Sequence, residues 1–149
     1  MPLEQPMVGS TRYISKVMLP NTRSFRYAKG LTVAGSVLLL LMAGIHGSGF
    51  NYLTGLMNTA DAPAFIKQIF PVLFVHPSLH LVGLAAFALL TLRMPHEGKK
   101  VLFLVAVLVV LDSLLAFILG GVVPGILLVL AGLAFFLSGR FSTPVTDHP

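Results

Sequence analysis

The sequence contains no cysteine and no tryptophan, and only 10% of its 149 residues are charged. The absence of cysteine excludes disulfides, thiolate metal sites and cysteine nucleophiles. An ordinary soluble domain carries roughly 25% charged residues. With so few charges and 56% hydrophobic residues, a chain of this size cannot cover its surface in water. The composition therefore indicates a protein whose solvent is lipid.

Long uncharged runs predict four membrane-spanning helices. The first run, residues 31–50, corresponds to about 30 Å of helix, which is enough to cross the hydrocarbon core of a bilayer. The last run, residues 101–139, carries the single charge Asp112 and is long enough for two spans. A glycine- and proline-rich turn signal at residues 120–125 divides it. The predicted spans are approximately residues 31–50, 68–92, 101–119 and 122–138. We therefore predict an all-α fold, a four-transmembrane-helix bundle with helices 3 and 4 in a tight hairpin.

The distribution of basic residues predicts the orientation of this bundle. The sequence divides into a basic tail at 1–30, a four-span membrane domain at 31–139 and a short polar tail at 140–149. Nine of the ten Lys and Arg residues lie in or beside the two tails or in the 93–100 loop, and only Lys67 lies in the predicted external loop at 51–67. Because basic loops stay in the cytoplasm, we predict that both termini are cytoplasmic. The alanine, leucine and valine usage and the lack of an organelle signal favour a bacterial inner (cytoplasmic) membrane.

The basic N-terminal tail is predicted to bind a partner. Its candidate contact residues are Arg12, Lys16, Arg23 and Arg26. The net charge of +5 does not indicate nucleic-acid binding, because the basic residues flank apolar segments and do not form a soluble cationic face. Anionic lipid headgroups and other integral membrane subunits are the partners that this placement favours.

Four ionisable residues lie inside the predicted spans, where such groups are costly and usually face the bundle interior or a cavity. They are His46 on the first span, His76 and His80 on the second, and Asp112 on the third. At about 1.5 Å of rise per residue, all four fall between the middle of the membrane and its external leaflet. Residues at i and i+4 share a helix face, so His76 and His80 should point the same way.

Three functional interpretations and one structural interpretation fit these four residues. Three imidazoles and a carboxylate suit zinc, copper or iron. Alternatively, His46 opposite His76 or His80 would provide the axial ligands of haem b. An acid with imidazoles would also serve a proton or quinol path. In the structural interpretation, Asp112 pairs with a histidine of the neighbouring helix and contributes to helix packing.

The function that fits most of these features is that of a small polytopic accessory subunit of a larger membrane complex, with an intramembrane His/Asp site. The first alternative is a metal- or haem b-binding redox protein of electron transport. The second is a small transporter or channel that works as a homo-oligomer. An enzyme acting alone is not favoured, because the loops are too short to build a substrate pocket outside the membrane.

Overall fold

The structure is a computed structural model that describes residues 22–94 and 97–142. This part of the chain is helical and has no strand. A 3-10 turn at Thr91–Arg93 follows the third helix. The α-helices of the described residues are α1 (Thr22–Ser48), α2 (Phe50–Thr59), α3 (Ala64–Leu90), α4 (Gly98–Leu119) and α5 (Val122–Phe141).

Four helical segments are long and apolar enough to cross a membrane. Their bounds are Ser24–Thr59, Ala64–Arg93, Gly98–Leu119 and Val122–Phe141. The prediction of an all-α protein with four apolar spans is therefore confirmed.

α1, α3 and α4 include residues before the predicted spans, and α5 extends beyond the predicted end of the fourth span. α1 begins at Thr22, inside the predicted tail, because long basic side chains do not interrupt a helix and can carry their charge along its surface. Lys29 illustrates this, since its Nζ lies 4.4 Å from the centre of the Phe25 ring. The predicted external loop at 51–67 is also largely helical, because α2 follows α1 after the single residue Gly49. Only residues 60–63 separate α2 from α3.

Three pairs of helices form most of the contacts between elements. α4 packs against α5, α5 against α1, and α1 against α3, whereas α3 and α4 contact each other much less. At the centre of the core lie the fully buried side chains of Leu39, Val109, Ala131 and Phe135, together with Ala88 of α3. Because α3 and α4 share few contacts, we refer to the space between these two helices as the α3–α4 cleft.

Burial is confined to one half of the molecule. On α3, the buried residues are Leu81, Leu84, Ala85 and Ala88, all in its C-terminal part. No residue is buried from 44 to 80 or from 114 to 124, ranges that the structure describes in full. The helices are thus closely packed in the half that contains the α3–α4 connection, and loosely packed in the half that contains α2 and the α4–α5 connection.

Candidate functional site

The structure brings His80 and Asp112 together across the α3–α4 cleft. His80 Nε2 lies 3.2 Å from Asp112 Oδ2, within ion-pair distance. Each residue lies next to the edge of the packed half, because Leu81 and Ser113, which follow them in sequence, are both buried. The side chains themselves remain 41% and 24% exposed. The pair therefore bridges α3 and α4 at the point where the core ends, as in the structural alternative from the sequence.

Two oxygens at this level have hydrogen-bonding capacity that the described residues do not use. The Asp112 Oδ2 atom is buried and accepts no well-directed hydrogen bond from the described part of the chain, although its distance to His80 is short. The Ser78 hydroxyl is likewise buried, close to Gly47 of α1, and has no hydrogen-bond partner among the described residues. Buried polar groups are nearly always hydrogen-bonded in proteins, so these two oxygens are exceptions among the described residues.

His76 lies one helical turn before His80, on the same side of α3. The two rings are nearly parallel, with centroids 6.5 Å apart and an interplanar angle of 21°. The i, i+4 spacing thus places the imidazoles side by side. His76 is exposed and faces away from the core.

His46 makes a different contact, between α1 and α3. Its Nε2 lies 3.1 Å from the carbonyl oxygen of Phe74, and its ring stacks on the Phe74 ring with centroids 4.6 Å apart. Proline has no N–H and disturbs the hydrogen bonds of the preceding helical turn. Pro77 of α3 has no N–H to donate to the carbonyl of Leu73, and the Phe74 carbonyl that His46 contacts is the next one along the chain.

The structure does not gather the four residues into one ligand set. Over residues 22–94 and 97–142, no three His, Asp or Glu side chains are close enough to hold a metal ion. Coordination by His46, His76, His80 and Asp112, and haem ligation by the histidines, stay predictions. Of the predicted partner-binding residues, Arg12 and Lys16 lie outside the described residues. Arg23 lies in the first turn of α1, and Arg26 is exposed on the same helix.

A groove beside His76 was not predicted from the sequence. This open groove, of about 390 Å³, is lined by Phe50, Pro71, Val72, Val75, His76 and Leu79. The i, i+3 and i, i+4 spacing of Val72, Val75 and Leu79 indicates a common helix face. However, Phe50 comes from α2, a helix that the sequence analysis interpreted as a loop. We call this feature the His76 groove.

The fold and these contacts define the class: a helical membrane protein with four apolar spans and an ionisable pair between two of them. Comparison with protein-family models, with curated proteins and with solved structures finds no match to this chain.

Proposed function

We propose that this chain is a small polytopic subunit of a larger complex in a bacterial inner membrane, with both termini in the cytoplasm and α4–α5 as a tight hairpin. The observation that carries the proposal is the partly exposed His80–Asp112 pair between α3 and α4, two helices that share few contacts. Ionisable residues within membrane spans usually face the interior of a bundle or a water-filled cavity. Here they lie at the edge of the bundle instead.

The cost of such an exposed pair favours a partner helix in the cleft. An aspartate at the centre of a membrane helix costs roughly 2.5–3.5 kcal/mol on insertion-based scales. His80 offsets part of this cost but leaves the Asp112 side chain 24% exposed. A helix of another subunit would cover the exposed parts of both side chains and remove them from lipid.

The uneven packing supports the same proposal. α2 and the N-terminal part of α3 have no buried residues among those described. The same half of the molecule contains His46, near the end of α1, and His76 of α3 as well as apolar side chains. A partner that covers this half would extend the core beyond Leu81. Lipid alone can cover exposed apolar side chains. It is therefore the exposed polar residues that favour a protein partner.

Site-specific photo-crosslinking in the native membrane tests this proposal. A photoreactive amino acid replaces Leu115, which is exposed one turn after Asp112 on α4. The matched control is Leu133, an exposed residue on α5. We expect an adduct with another membrane protein from position 115, much less from position 133, and loss of that adduct in His80→Leu/Asp112→Leu.

Two outcomes would contradict the subunit proposal. Equal labelling from both positions, unaffected by the double substitution, would mean that no partner occupies the cleft. An adduct only with a second copy of this chain would favour the homo-oligomer alternative. The mass of the adduct distinguishes these results.

A further inference from the structure

The His76 groove has the size and lining of a site for a small apolar molecule. Its volume of about 390 Å³ is comparable to the roughly 300–1,000 Å³ of typical ligand pockets, but the groove is open and would cover one side of an occupant. Five of its six lining residues are apolar, and the sixth is His76. A mainly apolar pocket with one well-placed polar group is the usual arrangement for a small-molecule site.

Aromatic packing holds the wall formed by Phe50. The Phe50 and Phe74 rings are 6.2 Å apart between centroids, and the Phe70 ring lies 5.9 Å from Phe74. Phe74 is stacked in turn on His46, whose ring contacts the backbone of α3. The groove is therefore formed by a connected cluster that joins α1, α2 and α3.

The depth of the groove restricts its occupant to lipid-soluble molecules. His76 lies near the middle of the 27 residues of α3, and α3 belongs to one of the four segments that are long and apolar enough to cross a membrane. Phospholipid headgroups remain in the interfacial region outside the hydrocarbon core. A ligand of His76 must therefore bring its own polar atom into the hydrocarbon core.

The charge of the surroundings favours a neutral ligand. Among the groove residues, only His76 is titratable; His80 lies beside it on α3, and the acid Asp112 of α4 contacts His80. No lining residue carries a fixed charge that could pair with an ionic ligand at this depth, where unpaired charge is costly. A neutral imidazole has one donor and one acceptor nitrogen. It can thus bind either a carbonyl or a hydroxyl oxygen.

We propose that the His76 groove binds the ring of a lipid-soluble quinone or hydroquinone, with His76 as the hydrogen-bonding partner of a ring oxygen. This class of molecule is neutral, dissolves in the hydrocarbon core and carries a carbonyl oxygen when oxidised and a hydroxyl when reduced. The proposal goes beyond the subunit role, because every lining residue comes from this chain and no partner is required.

The absence of tryptophan permits a direct binding experiment on the full chain in phosphatidylcholine nanodiscs. Phe50→Trp places a single fluorescent reporter on the groove wall, and Val72→Trp provides a second reporter in case the first variant does not fold. Leu130→Trp, at an exposed position of α5 outside the groove, is the matched control. Decylubiquinone is the probe, because quinones quench tryptophan fluorescence on close approach.

We expect saturable quenching from the groove reporters and a non-saturating, partition-like response from Leu130→Trp. Adding His76→Leu to a groove reporter should weaken binding about tenfold, the equivalent of one lost hydrogen bond. Adding His76→Gln, which keeps a donor and an acceptor, should weaken it less. Partition-like quenching at all positions would overturn the proposal. Saturable quenching with the same affinity in His76→Leu would also overturn it, because the groove would then select only for apolar shape.

Discussion

At the scale of single residues, close packing distinguishes glycines that look equivalent in the sequence. Gly35 and Gly44 both lie on α1 within the first apolar run. A Cβ atom on Gly35 would come within 2.8 Å of the Phe135 ring, whereas a Cβ on Gly44 would meet no atom within 4 Å. Because Phe135 is fully buried in the core, its ring is surrounded by other side chains and cannot turn out into the surroundings of the protein. Gly35 is therefore needed for the α1–α5 contact, and Gly44 is not.

We predict that Gly35→Ala lowers the free energy of unfolding by about 1–3 kcal/mol, the usual cost of overpacking a core. Gly44→Ala is the matched control and should be neutral or slightly stabilising, because alanine is a better helix former. Thermal unfolding of both variants in the same mild detergent measures the difference. Equal stability of the two variants would show that α1 and α5 do not pack as described.

At the scale of elements, buried hydroxyl groups join α1 to α5 in the packed half. Ser138 donates a hydrogen bond of 2.7 Å to the carbonyl oxygen of Ala28, and its hydroxyl lies 2.7 Å from that of Thr32. Ser36 lies one turn after Thr32 and donates to its carbonyl oxygen at 2.9 Å. Ser138 and Thr32 are both almost fully buried. Water therefore cannot replace these bonds, and they hold two helices that are far apart in sequence.

We predict that Ser138→Ala destabilises the α1–α5 pair by about 0.6 kcal/mol and at most about 2 kcal/mol, the range measured for hydrogen bonds between membrane helices. Ser48→Ala is the control, because within the described part of the chain the exposed Ser48 hydroxyl bonds only to the carbonyl of Ile45 in its own helix. Reversible unfolding in mixed micelles provides the comparison. A larger effect of Ser48→Ala than of Ser138→Ala would contradict this assignment.

At the scale of the whole molecule, the arrangement of helices divides the protein into a packed half and an open half. The α3–α4 connection lies in the packed half, and the connection between α2 and α3 lies in the other. The predicted orientation places the packed half on the cytoplasmic side, because most of the basic residues flank it. The open half, with the His80–Asp112 pair at its boundary, would then lie towards the external leaflet.

The lack of native cysteine makes this orientation testable with single cysteines. Asp61→Cys and Glu97→Cys are a matched pair, because both replace an exposed acid and neither removes a basic residue. A membrane-impermeant maleimide added to intact cells should label Asp61→Cys, and it should label Glu97→Cys only after permeabilisation. The reverse pattern would invert the orientation.

The residues of the candidate site could be predicted from the sequence, but most of the contacts among them and with neighbouring helices could not. The i, i+4 spacing correctly places His76 beside His80, because helix geometry alone determines which residues share a face. The contact of His80 with Asp112 was one of several alternatives, since it depends on the packing of α3 against α4. The contact of His46 with the Phe74 carbonyl was not foreseen. This contact depends on how closely α1 approaches α3 near Pro77. No local sequence pattern specifies that distance between two helices.

The sequence by itself determined the solvent of this protein, its all-helical class and its four spans. The reason is that, in lipid, a chain must satisfy its backbone hydrogen bonds internally and present apolar side chains over a sufficient length. Only the tertiary structure decided that α2 continues the first span, that the core occupies one half of the molecule and that residues of α2 and α3 line the His76 groove. These features depend on which apolar faces pack together. A sequence that is apolar on nearly every face of its helices does not specify that choice locally.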